Sequence, residues 1–302
     1  MLVDGARSGR RGVLATITEV VGTGARAIGT HMAVLDNGDS AGSFSSGCVE
    51  AAVIAEALDV LRDGSPRTVR FGQGSPYVDI RLPCGGGMQV LFLAEPATDV
   101  IERALACLEA RQPVTLHLHL AGSLGLASEP ALQGAGWQNG VFTIGHAPPL
   151  RLVLLGQGAE MLASLRLARS FGASVELYSP ETEVVEAGVD AGVQSARLIS
   201  ASSPVRLQGD PWTAILFLFH DHDWEPPLIA NALETSSFWV GAMGSRQTQV
   251  ARRAALAEYG VSAEAIACIR GPVGLIPSAR DPATFALSAL AEIVGAYRAQ
   301  LQ

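Results

Sequence analysis

The chain has 302 residues, 48 % of them hydrophobic and 17 % charged, and a formal net charge of −8. This composition suits packed cores of about two ordinary domains and excludes intrinsic disorder, while the negative balance argues against nucleic acid or an anionic membrane surface as partner. No lysine is present, since all 21 basic residues are arginine, and that removes Walker-type phosphate loops and Schiff-base chemistry.

Residues 1–12 are polar and are expected to form a loose leader. Strands are predicted over 13–21 and 30–35, with Asp36-Asn-Gly38 as the turn that follows. The run Gly42-Ser-Phe-Ser-Ser-Gly-Cys-Val-Glu50 is a small-residue loop leading into a helix over 49–62, where Val49, Val53, Ile54, Ala57, Leu58 and Leu61 recur at helical spacing. Cys48 therefore lies at or next to a helix N-terminus, where free N–H groups and the dipole favour an anion or a thiolate. Short strands follow at 68–71, 78–82 and 88–93. Cys84-Gly-Gly-Gly87 stands between the last two, and its glycines allow a close backbone approach to a ligand. A helix over 99–110 and strands at 114–120 and 140–144 complete a first domain, placed at 12–148.

The second domain, placed at 150–298, opens on the buried strand Arg151–Leu155, then Gly156-Gln-Gly158, a helix to Phe171 and a strand over 173–178. This is the start of a dinucleotide-type βαβ unit. Met161 occupies the third glycine position, and Ser179-Pro180 stand where a ribose-binding acid belongs, with Glu181 and Glu183 beyond. NAD(P) is disfavoured on that ground. The apolar run 214–219 reads as an internal parallel strand, and it ends in His220-Asp-His-Asp223, where ligand contact by His220 is weighed above a metal site. Phe238 to Arg246 is a strand and glycine turn that opens a helix over 247–259. Ser245 is its expected cap and Arg246 a candidate anion holder. Arg252 and Arg253 are assigned to a solvated face. Gly271–Pro277 is a loop before a closing helix over 282–294. The expected class is α/β: an N-terminal α/β domain, then a C-terminal Rossmann-like, doubly wound parallel sheet.

The four cysteines are widely spaced and form no Cys-x-x-Cys, so neither a disulfide framework nor a structural zinc site is expected. Cys107 and Cys268 read as ordinary buried thiols. No apolar run reaches membrane-spanning or signal-peptide length, so a soluble, cytoplasmic protein with no membrane span is expected. A homodimer is the default assembly.

Taken in order, Gly42–Glu50, Cys84-Gly-Gly86, Gly156-Gln-Gly158, the strand ending at His220, Gly241–Arg246 and Gly271–Leu275 resemble the XdhC/CoxI family, the accessory proteins of xanthine dehydrogenase and related molybdenum hydroxylases. The resemblance covers nearly the whole chain. Ser46 stands where that family usually has a second glycine, and Ile276 where Asp is common. It implies a chaperone that holds molybdenum cofactor (molybdopterin), supports its sulfuration and delivers it to an apo xanthine dehydrogenase-like molybdoenzyme, with a cysteine desulfurase as a further partner. It implies cofactor contacts from Ser43, Ser45, Gly47, Cys48, Glu50, Cys84, Gly85, Gly86, Gly156, Gly158, His220, Gly244, Ser245 and Arg246, with Cys48 and Cys84 as candidate molybdenum ligands. Soft thiolates and anion-binding loops suit such a group. A nicotinamide-dependent oxidoreductase and an inert docking scaffold are the competing readings.

Overall fold

The computed structural model describes residues 1–22, 26–45, 47, 49–75, 85–132, 134–202 and 205–301. The chain divides into two compact units, Met1–Ala147 and Pro148–Gln302.

The first unit contains α1 (Leu2–Arg7), β1 (Gly12–Val21), β2 (His31–Leu35), β3 (Ser40–Ala41), α2 (Glu50–Asp63), β4 (Arg67–Gly72), β5 (Gly87–Ala94), α3 (Thr98–Glu109), β6 (Val114–His119), β7 (Leu124–Leu126), β8 (Gly136–Gln138) and β9 (Val141–His146). Two antiparallel sheets form, in the orders β3-β2-β1-β5-β4 and β7-β6-β9-β8. The residues of β1 and β5 alternate between two cores, as the period-two geometry of a strand requires. Val13, Ala15, Ile17, Val90 and Phe92 meet α2 through Val53, Ala57 and Val60. Leu14, Leu91 and Leu93 turn the other way, onto Leu116, Leu118, Phe142 and Ile144 of the second sheet and Val100 and Ala104 of α3. With both faces covered, β1 is buried without alternation from Val13 to Thr18.

The amino terminus corrects the expected loose leader. Residues 2–7 form α1, which buries Leu2 and Gly5, and Leu2 joins the second core. The helix escaped the sequence reading because six residues whose larger apolar side chains, Leu2 and Val3, are adjacent show no helical period. The predicted strand 78–82 lies outside the described residues.

The second unit contains β10 (Arg151–Gly156), α4 (Gly158–Ser170), β11 (Ser174–Ser179), α5 (Thr182–Asp190), β12 (Gln194–Arg197), β13 (Thr213–Leu218), a 3-10 turn (His222–Trp224), α6 (Glu225–Leu233), β14 (Trp239–Ala242), α7 (Arg246–Glu258), α8 (Ala263–Ala267) and α9 (Pro282–Ala299). Its sheet is wholly parallel, in the order β12-β11-β10-β13-β14. The order reverses between β10 and β13, so the carboxyl ends of those strands border a switch-point crevice, the usual ligand position in such sheets. Val153, Leu155, Ile215 and Phe217 form one core with Leu228 and Ile229 of α6 and Leu256 of α7. Gly156 leaves no space for a side chain against Leu218, which keeps the ends of β10 and β13 in close contact. Among the described residues no helix is long and apolar enough to cross a membrane.

Candidate functional site

In the first unit the small-residue loop is folded around one carboxylate. Glu50 is the first residue of α2, and the positive end of that helix favours an acidic group there. Its Oε1 accepts from the Ser43 hydroxyl at 2.7 Å, the Phe44 amide at 3.0 Å and the Ser45 amide at 2.8 Å. Its Oε2 accepts from the Ser45 hydroxyl at 2.9 Å, the Gly47 amide at 2.8 Å and the Val49 amide at 3.2 Å. Burial opposes ionisation of this carboxyl, but the donors from Ser45 and Ser43 outweigh it and hold the group well below the usual carboxylate range. Phe44 and Val49, both buried in the α2 core, anchor the loop on either side.

The amides of the loop that leads into the helix, Phe44, Ser45, Gly47 and Val49, are thus engaged by Glu50, while the N-cap residue Val49 makes no side-chain cap to the first turn of α2. Gly42 completes the turn. Its φ is +103°, and a Cβ there would stand 2.6 Å from the His31 carbonyl oxygen. Gly85 is exposed with φ +68°, while Gly86 is buried and accepts the Gln73 amide at 2.9 Å on the way into β5. Cys48 and Cys84 lie outside the described residues.

In the second unit a cleft of about 740 Å³ is lined by Glu160, His220, Gly244, Ser245, Arg246 and Ser278, among others. Four predicted site residues from two distant stretches, His220 and Gly244 to Arg246, thus share one cleft. Gly158 adjoins it, since a Cβ there would lie 3.7 Å from the His220 ring. Ser245 caps α7, its hydroxyl accepting the Thr248 amide at 3.1 Å. Arg246 is exposed and has no ion-pair partner among the described residues. His220 Nε2 meets Glu160 Oε2 at 3.2 Å, whereas His222 Nδ1 meets Glu225 at 3.2 Å. The two histidines of the His-Asp-His-Asp run therefore serve different carboxylates, and among the described residues no cluster of three or more His, Cys, Asp or Glu could hold a metal.

Beneath the cleft Arg252 is buried, which corrects its assignment to a solvated face. Its guanidinium donates to Glu225 at 2.7 and 2.8 Å, to Gln249 Oε1 at 2.6 Å and to the Met243 carbonyl at 2.7 Å. Gln249 in turn donates to the Ala242 carbonyl at 3.1 Å. The end of β14 is thus tied to α7 just before Gly244. Sequence reading missed this network because Glu225 is 27 residues from Arg252. The clue available was a Gln and an Arg at i and i+3 on one helix face. Cys268 is also corrected, being exposed, while Cys107 is partly buried.

Near Gly158 the arrangement differs from a dinucleotide site. The Gly158 amide donates to Glu181 at 2.8 Å, so a carboxylate of the chain holds an amide at the start of α4. The acid beyond β11 is present but turned back onto the glycine turn.

These features define a two-unit α/β protein with a Rossmann-like second half and a polar cleft at its switch point. The XdhC Rossmann domain model matches residues 152–293, and the XdhC and CoxI family model matches residues 6–72. The chain belongs to the XdhC and CoxI family. It is 36 % identical over 295 residues to the Escherichia coli molybdenum cofactor insertion chaperone PaoD, covering 96 % of this chain and 85 % of that protein. It is 27 % identical over 208 residues to the uncharacterized E. coli protein YqeB, covering 65 % of this chain and 36 % of that one. A solved structure named as a xanthine dehydrogenase from Bacillus halodurans shares the fold, with TM-score 0.77 and 20 % identity over 99 % of this chain and 95 % of that chain.

Proposed function

We propose that this protein binds molybdenum cofactor, supports its sulfuration and delivers it to an apo xanthine dehydrogenase-like molybdenum hydroxylase. The observation that carries this reading is the 36 % identity to a molybdenum cofactor insertion chaperone, extending over 96 % of the chain. The second-unit cleft supports it. A volume of about 740 Å³ accommodates a phosphorylated pterin, and Arg246 beside the capped start of α7 suits its phosphate. When bound, the cofactor supplies the metal centre that the client enzyme needs.

The chain's own part is to hold and release. Arg246 and the Gly244-Ser245 turn take the phosphate, and the His220 imidazole, oriented by Glu160, offers a polar contact across the cleft. Cys48 and Cys84, in the first unit, are a separate proposal, independent of that cleft: soft donors for molybdenum, or for the sulfur received from a cysteine desulfurase. A homodimer in the cytoplasm is the proposed setting.

The test is to purify the protein from cells that make the cofactor and to assay molybdenum by mass spectrometry and pterin by fluorescence of its oxidised form. Both should be present, and Cys48→Ala or Cys84→Ala should lower them with the thermal midpoint unchanged. A folded wild-type protein free of both molybdenum and pterin would overturn the reading.

A further inference from the structure

The cleft of the second unit has two walls of different origin. One runs from Met243 to Arg246 and enters α7. The other is the loop Gly271–Ser278, which brings Pro272, Gly274, Ile276 and Ser278 to the lining. This loop forms no helix or strand, so its shape depends on where its amides go. Three consecutive amides are given to α9. The Gly274 amide donates to Glu292 Oε2 at 2.6 Å, the Leu275 amide to the Ser288 carbonyl at 3.3 Å and the Ile276 amide to Ser288 Oγ at 2.7 Å. Ser288 and Glu292 are four residues apart on one helix and share a face. The approach is close: Gly274 has φ +109°, and a Cβ there would lie 2.5 Å from Ser288 Oγ. The side chains of Leu275 and Ile276 stay 63 % and 44 % exposed. Burial therefore does little to fix this part of the loop, and its hydrogen bonds to α9 do most.

We infer that Ser288 and Glu292 are positioning residues for the cleft: they hold residues 274–276 in the geometry that a bound ligand meets. The inference rests on the cofactor site proposed above. Neither residue lines the cleft, so both act through the loop. Glu292→Ala removes the acceptor for Gly274, and Ser288→Ala removes that for Ile276. Glu292→Gln keeps an acceptor oxygen of similar reach and loses only the charge. Charge and geometry predict opposite results here. Loss of a carboxylate beside the cleft would by itself favour an anionic ligand. A fall in bound ligand in Glu292→Ala therefore reports on the loop and not on the charge.

The experiment uses the full-length protein purified from cells that make the cofactor. Copurifying pterin per folded protein, hydrogen exchange of the 274–276 amides and the thermal midpoint are measured for wild type and the three variants. Glu292→Ala should speed Gly274 exchange by about tenfold or more, and Ser288→Ala should speed Ile276 exchange by about two- to tenfold, the weight of one hydrogen bond to a charged and to a neutral acceptor. Pterin should fall by about tenfold in Glu292→Ala, the low end for a residue that supports a bound group from behind, and by less in Ser288→Ala. Glu292→Gln should restore both exchange and pterin to near the wild-type level, which a role for the charge would not allow. Undiminished pterin in folded Glu292→Ala and Ser288→Ala would overturn the inference while leaving the proposed function intact. If Glu292→Ala does not fold, Ser288→Ala decides on the same two readouts. Wild-type protein free of pterin would defeat the proposed function itself and, with it, the role assigned to these two residues.

Discussion

The main-chain amide of Gly158, the first residue of α4, donates to the carboxylate of Glu181 across 2.8 Å. In dinucleotide-binding folds that helix start receives a pyrophosphate and the acid beyond the second strand receives a ribose. Here the acid sits on the helix start, so the two halves of a nucleotide site occupy each other. Glu160 adds a second carboxylate in the first turn of α4, engaged with His220. A nicotinamide dinucleotide would have to displace Glu181 and accept negative charge beside its phosphates. Titration with NAD or NADP to about 1 mM should leave the thermal midpoint unchanged, whereas a ligand present at ten times its Kd would add about 1.4 kcal/mol. A rise of several degrees would reinstate the oxidoreductase reading.

Arg252 and Glu225 form a two-pronged ion pair with side chains 2 % and 1 % exposed. Removing one member leaves the other charged and buried, which typically costs about 3–5 kcal/mol. Arg252→Ala should destabilise the second unit by that amount, while Arg252→Met combined with Glu225→Leu should recover much of it. Urea denaturation followed by tryptophan fluorescence reports on this, because Trp212, Trp224 and Trp239 all lie in the second unit. A loss below about 1 kcal/mol for Arg252→Ala would show that the pair carries little. Since Arg252 also holds the Met243 carbonyl, the proposed cofactor site in the adjoining cleft predicts that the same variant copurifies with less cofactor.

The elements legible from sequence were those with a strong apolar signal. The buried runs of β1, β10 and β13 and the periodic stripe of α2 needed no tertiary information. β12 was not legible, because Gln194-Ser-Ala-Arg197 is largely exposed and owes its strand form to pairing with β11. α5 carries Gly188 in its interior, which weakens a helical signal, although that glycine packs closely under Ser195. At the candidate site, sequence singled out these stretches but not the direction in which their acids turn. Glu50, Glu181 and Glu292 each fold back onto a glycine-bearing loop, accepting amides of Gly47, Gly158 and Gly274 respectively. Such back-folding depends on loop geometry and leaves no spacing rule, apart from the preference for an acid in the first turn of a helix.

Arg246 is the exposed cation at the mouth of the second-unit cleft. On the function proposed above, its replacement should alter cofactor content and leave stability nearly unchanged. Arg246→Gln should change stability by no more than about 0.5 kcal/mol and lower the pterin that copurifies by about tenfold, as loss of a charge-assisted phosphate contact would. Pterin content per folded protein, measured beside the thermal midpoint, separates these outcomes. Unchanged pterin would move the phosphate away from α7.

His31 and His146 make the first unit sensitive to acid. Their Nε2 atoms stand 3.1 Å apart, and His31 Nδ1 is 2.8 Å from the Thr16 hydroxyl, so the two imidazoles join β2 to β9 as a neutral hydrogen-bonded pair. Burial, and then the neighbouring His146, lowers the His31 pKa to about 3, and burial lowers that of His146. The sign follows from linkage. An unfolded histidine takes up a proton near pH 6.5, while the native pair refuses it, so acid favours the unfolded chain. Stability supplied by His31 is whole above pH 6.5 and declines as pH falls from there toward about 3. Between pH 6.5 and pH 5 the decline from His31 alone should be about 1.6 kcal/mol. Denaturation midpoints of wild type and His31→Gln across this interval test the point. Glutamine keeps hydrogen-bonding capacity but does not titrate, so its curve should be flatter by that amount, whatever its stability at neutral pH. Parallel curves would mean that the pair does not govern the acid limb.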